Sequence, residues 1–492
     1  MGGIAAVFSK SPIDAPRVVA KMLSAMRHRG KDATAVAGGG TLESASFPAS
    51  LAVSSSKRKT AVGYCFTKTL PNDIPQPVRA GEAWFSMDGR IVANGQLVGG
   101  GQAARILESR LTPMKFSSIR RDLDGAYALC CCTDEWLLVT RDQLGLKPAY
   151  FGRQGDLIAV ASDRKALWTI GIADTKVFPV GGFLEATEAG STVDSPLPET
   201  NVAKTTPDTS VDHHQLLDLL TESVSIQTAG LGAVAIGFSG GLDSTVLARI
   251  AKNAGLDLLL VTVGVGRTVE MSLAESTART LGLPIVVKEF SKKDVAECLD
   301  HVLWLTEEPN LMKVSIAMAI RWIAQIASGN GRSVVILGQG SDELFGGYKR
   351  FATILGERGE AAASQAISES IRDAHEVNYQ RDEQAVSGLR VELRLPFATR
   401  KITEFASKVP LNMKVREPLD NLRKWVLRDA AIKLGIPSEI ALRPKKAIQH
   451  ASGVEKAIRE IAKHNQLPPS TYLEQRLRAM RRDFTDRESA RA

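Results

Sequence analysis

From Ala233 to Ser244 the chain reads Ala-Val-Ala-Ile-Gly-Phe-Ser-Gly-Gly-Leu-Asp-Ser, passing from apolar run to glycine turn to helical spacing. Val234, Ala235 and Ile236 suit a short parallel strand buried on both faces. Gly240 and Gly241 let backbone come close to a ligand, and Leu242 to Lys252 has helical periodicity. Free N–H groups and a helix N-terminus then surround Ser239 and Ser244, which makes the turn an anion site. Asp243 places a carboxylate inside it, and that makes sense if a cation arrives with the anion. Mg²⁺ carried in with a polyphosphate would bridge the two. An ordinary strand-to-helix turn also favours Gly-Gly and an N-cap acid, so the local chemistry leaves both readings open.

The 492 residues allow two or three domains with full cores, and 44% hydrophobic with 24% charged residues is a globular composition. No basic region leads into an apolar core at Met-Gly-Gly-Ile-Ala-Ala-Val, and no apolar run is expected to span a membrane. Cys65, Cys130, Cys131, Cys132 and Cys298 form no Cys-x-x-Cys pair, which predicts reduced thiols and a cytoplasmic location. Much of the net charge of +8 lies at Arg476, Arg478, Arg481, Arg482, Arg487 and Arg491. A solvated terminal helix or tail accounts for it without nucleic acid, since no basic stripe is interleaved with aromatics.

Residues 1 to about 190 are predicted to be β-rich, with apolar runs at Ile4–Phe8, Val62–Phe66, Ala126–Cys132, Trp136–Val139 and Leu157–Ala161, and a helix from Pro12 to Met26. Residues 191–210 are polar with Pro, Thr and Asp, hence a linker. A second domain is expected over 211–470, with a basic tail over 471–492. In it Ala233–Phe238, Leu258–Val263 and Ile285–Phe290 alternate with the helical Leu242–Lys252 and Val269–Leu281, which implies a parallel sheet flanked by helices. Val263-Gly264 closes its second strand, at the edge where such sheets bind ligands. Val334–Leu337 runs into Gly338-Gln-Gly-Ser-Asp-Glu-Leu-Phe-Gly-Gly-Tyr348, again glycines then acids. Asp342 is thereby predicted to meet Asp243 across a metal-bound pyrophosphate, an N-cap acid being the plainer alternative. The last third reads as helical.

Ser239-Gly-Gly-Leu-Asp-Ser244 resembles the pyrophosphate loop of the N-type ATP pyrophosphatases and differs from the Walker loop. Gly338–Tyr348 is similar to the Gly-Glu-Gly-Ser-Asp-Glu-(Leu/Val)-Phe-Gly-Gly-Tyr signature of asparagine synthetases. Arg381-Asp382, Val391-Glu-Leu-Arg-Leu-Pro-Phe397, Lys424-Trp-Val-Leu-Arg428 and Leu442-Arg-Pro-Lys-Lys446 follow in that family's order. In the first half, Arg27–Asp32, Asp122–Tyr127, Arg141–Pro148 and Ala161–Leu167 look like landmarks of a class II glutamine amidotransferase domain. The resemblance implies an N-terminal α+β sandwich of Ntn-hydrolase type and a C-terminal doubly wound parallel-sheet ATP pyrophosphatase domain with a helical extension. It implies ATP held by Gly237, Ser239, Gly240, Gly241, Asp243, Ser244, Val263 and Gly338, Mg²⁺ on Asp243 and Asp342, and catalytic roles for Lys445, Lys424 and Gln339. Lys445 would face the phosphates. The implied chemistry is an acyl-adenylate with release of pyrophosphate, then amide formation, with aspartate or another carboxylate and ammonia or an amine as substrates. A homodimer is left open.

Four departures matter. Where the family has a nucleophilic cysteine after the initiator methionine this chain has Gly2, so a retained structural domain is expected rather than a glutaminase. Either Asn94-Gly95-Gln96 or Asp88-Gly89-Arg90 stands for the family's glutamine-binding Asn-Gly-Glu. Gln339 replaces the Glu between the two glycines, and Ala398-Thr399 replaces Leu-Asp after Phe397. β-Lactam synthetases, which also lack the cysteine, are the close rival, although they resemble a version with Tyr at Gln339. A non-catalytic nucleotide-binding subunit is the rival of another class, and intact Ser239–Ser244, Asp342 and Lys445 argue against it.

Overall fold

The structure, a computed structural model, describes residues 2–46, 51–194, 212–444 and 452–491. The chain forms two units, Met1–Leu197 with Ser387–Arg390 and Arg481–Ala492, and Pro198–Val386 with Val391–Met480.

The first unit holds two seven-stranded antiparallel sheets. One centres on Gly2–Ile13, flanked by Leu157–Ala161 and Arg58–Phe66. The other centres on Trp136–Arg141, Gly125–Cys132 and Ala83–Ala93. Alternation along the strands sends Ile4, Ala6, Phe8, Val62 and Tyr64 of the first sheet against Ala128, Cys130, Cys132, Leu137 and Val139 of the second. The outer faces are covered too. Ala5, Val7 and Cys65 pack under the helix Ala15–Ala25, while Phe85, Leu129 and Cys131 pack under Gly100–Leu107 and Pro113–Asp122. This is an α+β sandwich with helices on both sides.

Two boundaries differ from expectation. Pro12 and Ile13 end a strand, and the helix starts at Ala15 because Asp14 caps it and Pro16 sits in its first turn, where a missing N–H costs nothing. Ser191–Asp194 is not linker: it is part of the strand Gly190–Asp194, paired with Phe183–Thr187. Residues 195–211, the rest of the expected linker, lie outside the described residues.

The second unit is built on a five-stranded all-parallel sheet in the order Ile285–Phe290, Asp257–Val265, Ala233–Gly237, Val334–Ile336, Glu392–Arg394. The first strand in sequence is central and the chain winds outward from it in both directions, which is the doubly wound arrangement. Its order reverses between Ala233–Gly237 and Val334–Ile336. Asp257–Val265 runs two residues past Val263, because Gly264 and Val265 stay paired with Glu289 and Phe290. Glu392–Arg394 lies in a stretch expected to be helical; its charged residues are buried and paired, Arg394 to Glu392 at 2.8 Å. Among the described residues one helix, Leu311–Gly329, is long and apolar enough to cross a membrane, against the expectation of none, yet Val314 to Ala324 is buried within the unit. The arginine-rich end is helical throughout Pro469–Arg491.

Candidate active site

Parallel pairing of Ala235 with Val335 and Ile236 with Ile336 brings the carboxyl ends of two strands side by side at the point where strand order reverses. Ligands of open α/β sheets bind in that crevice. Beyond the first strand, Gly240 takes φ +68°, and a Cβ there would lie 2.9 Å from the Ala274 Cα, so only glycine fits the turn. Gly241 then opens the helix Leu242–Asn253. The Ser239 and Ser244 hydroxyls lie 3.4 Å apart, Gly241 N–H donates to Ser239 Oγ at 3.3 Å, and Ser239 is exposed. Gly237 ends the strand, and Val263 lies buried on the neighbouring strand, two residues past the partner of Gly237. A brace that sequence reasoning did not assign is Arg443, whose Nη1 donates to the Gly240 carbonyl at 3.0 Å and to Thr277 Oγ1 at 3.1 Å.

Beyond the second strand, a Cβ on Gly338 would meet the Asp243 Cβ at 2.9 Å, so this glycine lets the two loops touch. Gly340 takes φ +93° before the short helix Ser341–Leu344, which carries Asp342. Ser341 Oγ donates to Asp243 Oδ1 at 2.9 Å.

The two aspartates converge on one atom. Lys424 Nζ lies 2.7 and 2.8 Å from the Asp243 oxygens, 2.6 Å from Asp342 Oδ1 and 3.1 Å from Ser341 Oγ. Its side chain is 3% exposed, against 22% and 21% for the aspartates. Burial pulls the ammonium toward neutrality, but the carboxylates of Asp243 and Asp342 outweigh it and hold its pKa above the ordinary lysine value. Backbone geometry delivers it there. Arg423 and Lys424 both have left-handed backbone, φ +52° and +54°, immediately before the helix Trp425–Lys433. Asp420 secures that loop by accepting from the Leu422 and Arg423 N–H groups and from Trp425 Nε1, and Arg423 Nε donates to the Gly347 carbonyl. A Cβ on Gly347 would stand 1.9 Å from Asp342 Oδ1 and 2.2 Å from Lys424 Cε.

Next to this pair lies a buried polar group. Glu343 accepts from Asn378 Nδ2 at 2.6 Å and from the Tyr348 hydroxyl, and burial together with the adjacent Asp342 raises its pKa. Asp382 accepts from Arg381 Nε at 2.7 Å and is hydrogen-bonded by Gln339; burial raises its pKa against the opposing Arg381 charge. Of the residues assigned from sequence, Gly237, Ser239, Gly240, Gly241, Asp243, Ser244, Gly338, Gln339, Asp342 and Lys424 are thus gathered on the two loops and the lysine that joins them. Lys445 lies outside the described residues. The arrangement can hold a dianionic or polyanionic phosphate chain on backbone N–H groups and hydroxyls, with carboxylates beside it for a divalent cation.

A family model described as asparagine synthase matches residues 215–386 and 357–491. A provisionally named asparagine synthetase (glutamine-hydrolysing) of Methanocaldococcus jannaschii is 30% identical over 70% of this chain and 72% of its own length. The chain belongs to the asparagine synthetase family. Asparagine synthetases of this family are carbon–nitrogen ligases. Asparagine synthetase B of Escherichia coli K12 is 26% identical over 68% of this chain and 62% of its own, and asparagine synthetase 1 of Saccharomyces cerevisiae is 23% identical over 68% and 65%. Among solved structures, the B. subtilis glutamine phosphoribosylpyrophosphate amidotransferase aligns at TM-score 0.32 and 17% identity, over 58% of this chain and 65% of its own.

The first unit buries a polar cluster of its own around Gly2. Gly2 is buried, and a Cβ on it would lie 2.2 Å from the Cys65 carbonyl oxygen and 2.4 Å from the Tyr64 ring. Its N–H donates to Asp88 Oδ1 at 3.3 Å, which places Asp88-Gly89-Arg90 beside it, whereas Asn94 and Gly95 form a two-residue hairpin turn with left-handed backbone. Arg90 is paired with Asp73 at 2.7 Å. Arg29 binds the Gly2 carbonyl and Asp163, and Asp163 also takes Lys165 at 2.9 Å and His28 at 3.2 Å. Burial alone would raise Asp163, but Arg29 and Lys165 hold it well below the usual carboxylate range. Burial and Lys165 push His28 down to about 3, so it donates as a neutral imidazole.

Proposed function

We propose that this protein uses ATP to activate a carboxylate as an acyl-adenylate, releasing pyrophosphate, and that ammonia or an amine then displaces AMP to give an amide. Aspartate going to asparagine is the reading that family membership favours. The observation that carries the proposal is the meeting of Asp243 and Asp342, from adjacent strand ends, beside the Ser239–Ser244 loop. Backbone N–H groups of the loop and the Ser239 and Ser244 hydroxyls bind the β and γ phosphates, Val263 lies along the nucleotide, and the α-phosphorus is left open to the carboxylate. Two carboxylates around one cation position suit a hard divalent ion with oxygen ligands, so Asp243 and Asp342 are the residues that would hold Mg²⁺. When bound, Mg²⁺ supplies charge neutralisation on the phosphate oxygens. Lys424 and Lys445 add positive charge where the leaving pyrophosphate accumulates negative charge, and no side-chain nucleophile is needed.

Gln339 favours a second reading for the carboxylate substrate. An amide hydrogen-bonded to Asp382 offers a neutral donor and acceptor where asparagine synthetases carry a charged residue. A non-aspartate carboxylate, as in β-lactam synthetases, is the alternative this supports. For the nitrogen donor, the filled surroundings of Gly2 support use of free ammonia or an amine without glutamine hydrolysis. Exchange of labelled pyrophosphate into ATP, run with aspartate and then with other carboxylates, tests the proposal. Exchange that needs a carboxylate and Mg²⁺ is expected; nucleotide binding with no exchange for any carboxylate would leave a non-catalytic subunit.

A further inference from the structure

We infer that Lys424 is a resident counter-ion for Asp243 and Asp342, occupying the position of the divalent cation and exchanging with it when a metal-bound polyphosphate enters. The inference rests on the ATP and Mg²⁺ reading above and concerns the order in which the charges of that site are neutralised. The same oxygens that suit Mg²⁺, both of Asp243 and Oδ1 of Asp342, lie 2.6 to 2.8 Å from the Lys424 ammonium. A magnesium ion draws its oxygens to about 2.0–2.1 Å and demands near-octahedral order, so it and the ammonium cannot share this point. One of them must leave.

The root of Lys424 is fixed, and its charge sits at the end of a long stem. Left-handed backbone at Arg423 and Lys424, and the Asp420 hydrogen bonds beneath them, hold the Cα, while a flexible four-carbon stem carries the charge. An ammonium leaving two carboxylates needs another anion within reach of that stem. The polyphosphate that accompanies the metal supplies it, since its charge exceeds that of one divalent ion. Metal alone must therefore displace a buried lysine from two carboxylates, the nearby Glu343 being already engaged by Asn378 and Tyr348, whereas metal with polyphosphate gives the lysine a new partner. The two ligands are predicted to bind together and poorly apart.

Titration of the whole protein with Mn²⁺ alone, followed by electron paramagnetic resonance, and then with Mn²⁺ plus inorganic pyrophosphate, reads this directly. Wild type is expected to bind Mn²⁺ at least tenfold more tightly with pyrophosphate than without. Lys424→Met removes the competitor, so Mn²⁺ alone should bind at least tenfold more tightly than to wild type, and most of the gain from pyrophosphate should vanish. Adding Asp342→Asn to that variant should erase the new Mn²⁺ affinity. Because Lys424→Met leaves two adjacent carboxylates, its melting temperature is measured in chelator and in Mn²⁺; a variant that folds only with Mn²⁺ also supports the exchange. Lys424→Gln, which keeps a polar tip, is the second variant and should behave alike. If both variants bind Mn²⁺ no more tightly than wild type while wild type binds Mn²⁺ with pyrophosphate, the exchange is wrong and the metal site stands. If wild type binds Mn²⁺ neither alone nor with pyrophosphate, the metal reading itself falls.

Discussion

Both units bury a cluster of opposite charges around a glycine-permitted close approach, and they use it differently. Around Gly2 the carboxylates are answered from within: Asp163 by Arg29 and Lys165, with neutral His28 donating to it, Asp88 by Arg29, and Asp73 by Arg90, with the Tyr64 ring against the glycine. Around Asp243 and Asp342 one lysine answers two carboxylates that stay about one-fifth exposed, next to an exposed serine just before the helix Leu242–Asn253. A cluster whose carboxylates are each answered and almost fully buried is a strut. A cluster in which one lysine serves two partly exposed anions is a site that can accept a ligand without first breaking the fold.

The sharpest way to break this comparison is to remove a carboxylate from each cluster. Asp243→Asn or Asp342→Asn should lower pyrophosphate–ATP exchange by about a hundredfold or more, on the order of several kcal/mol of transition-state stabilisation, with a melting temperature near that of wild type. Exchange near the wild-type rate at saturating Mg²⁺ would remove both residues from the site. Asp163→Asn should do the reverse. Leaving Arg29 and Lys165 buried without their carboxylate is expected to cost about 3–5 kcal/mol in denaturant unfolding, while exchange per folded molecule is unchanged.

A smaller effect is expected at Gly2. Gly2→Cys restores the thiol in name, but its Cβ would press on the Cys65 backbone carbonyl, for a cost of about 1–3 kcal/mol. No glutamate should be released from glutamine, and steady glutamate production by this variant would show the pocket to be intact. The smallest effect belongs to His28. Its folded-state value of about 3 lies below the ordinary 6.5, so its contribution to stability is present above pH 6.5 and is lost as pH falls toward 3. Melting temperatures from pH 7 to pH 5 should decline less steeply in His28→Gln than in wild type.

The sequence carried the sheet well because its signals there are local. Val269–Leu281 and Ile285–Phe290 fall where periodicity puts them, and the two glycine loops follow their strands as expected. Glu392–Arg394 escaped because three residues, two of them charged, give no apolar run; only the buried Arg394–Glu392 pair and the neighbouring strand make them a strand. The meeting of Asp243 with Asp342 could be anticipated from two motifs at two strand ends. The meeting of both with Lys424 could not, since it depends on two consecutive left-handed residues that neither propensity nor spacing announces. Arg443, at its distance in sequence from Gly240, left no local signal either. The paired fate of Asp88-Gly89-Arg90 and Asn94-Gly95-Gln96 likewise required the register of Ala83–Ala93 against Gln96–Val98.

Gly347 gives the chemist an unusual handle on this pair. The atoms that a methyl group there would strike belong to two side chains, Asp342 Oδ1 and Lys424 Cε, and no main-chain atom is as near. Gly347→Ala is thus an isoelectric wedge: it parts carboxylate from ammonium while every charge in the crevice is kept. Graded in size from alanine to serine to valine, such wedges would turn the distance between these two groups into an experimental variable, separable from their presence.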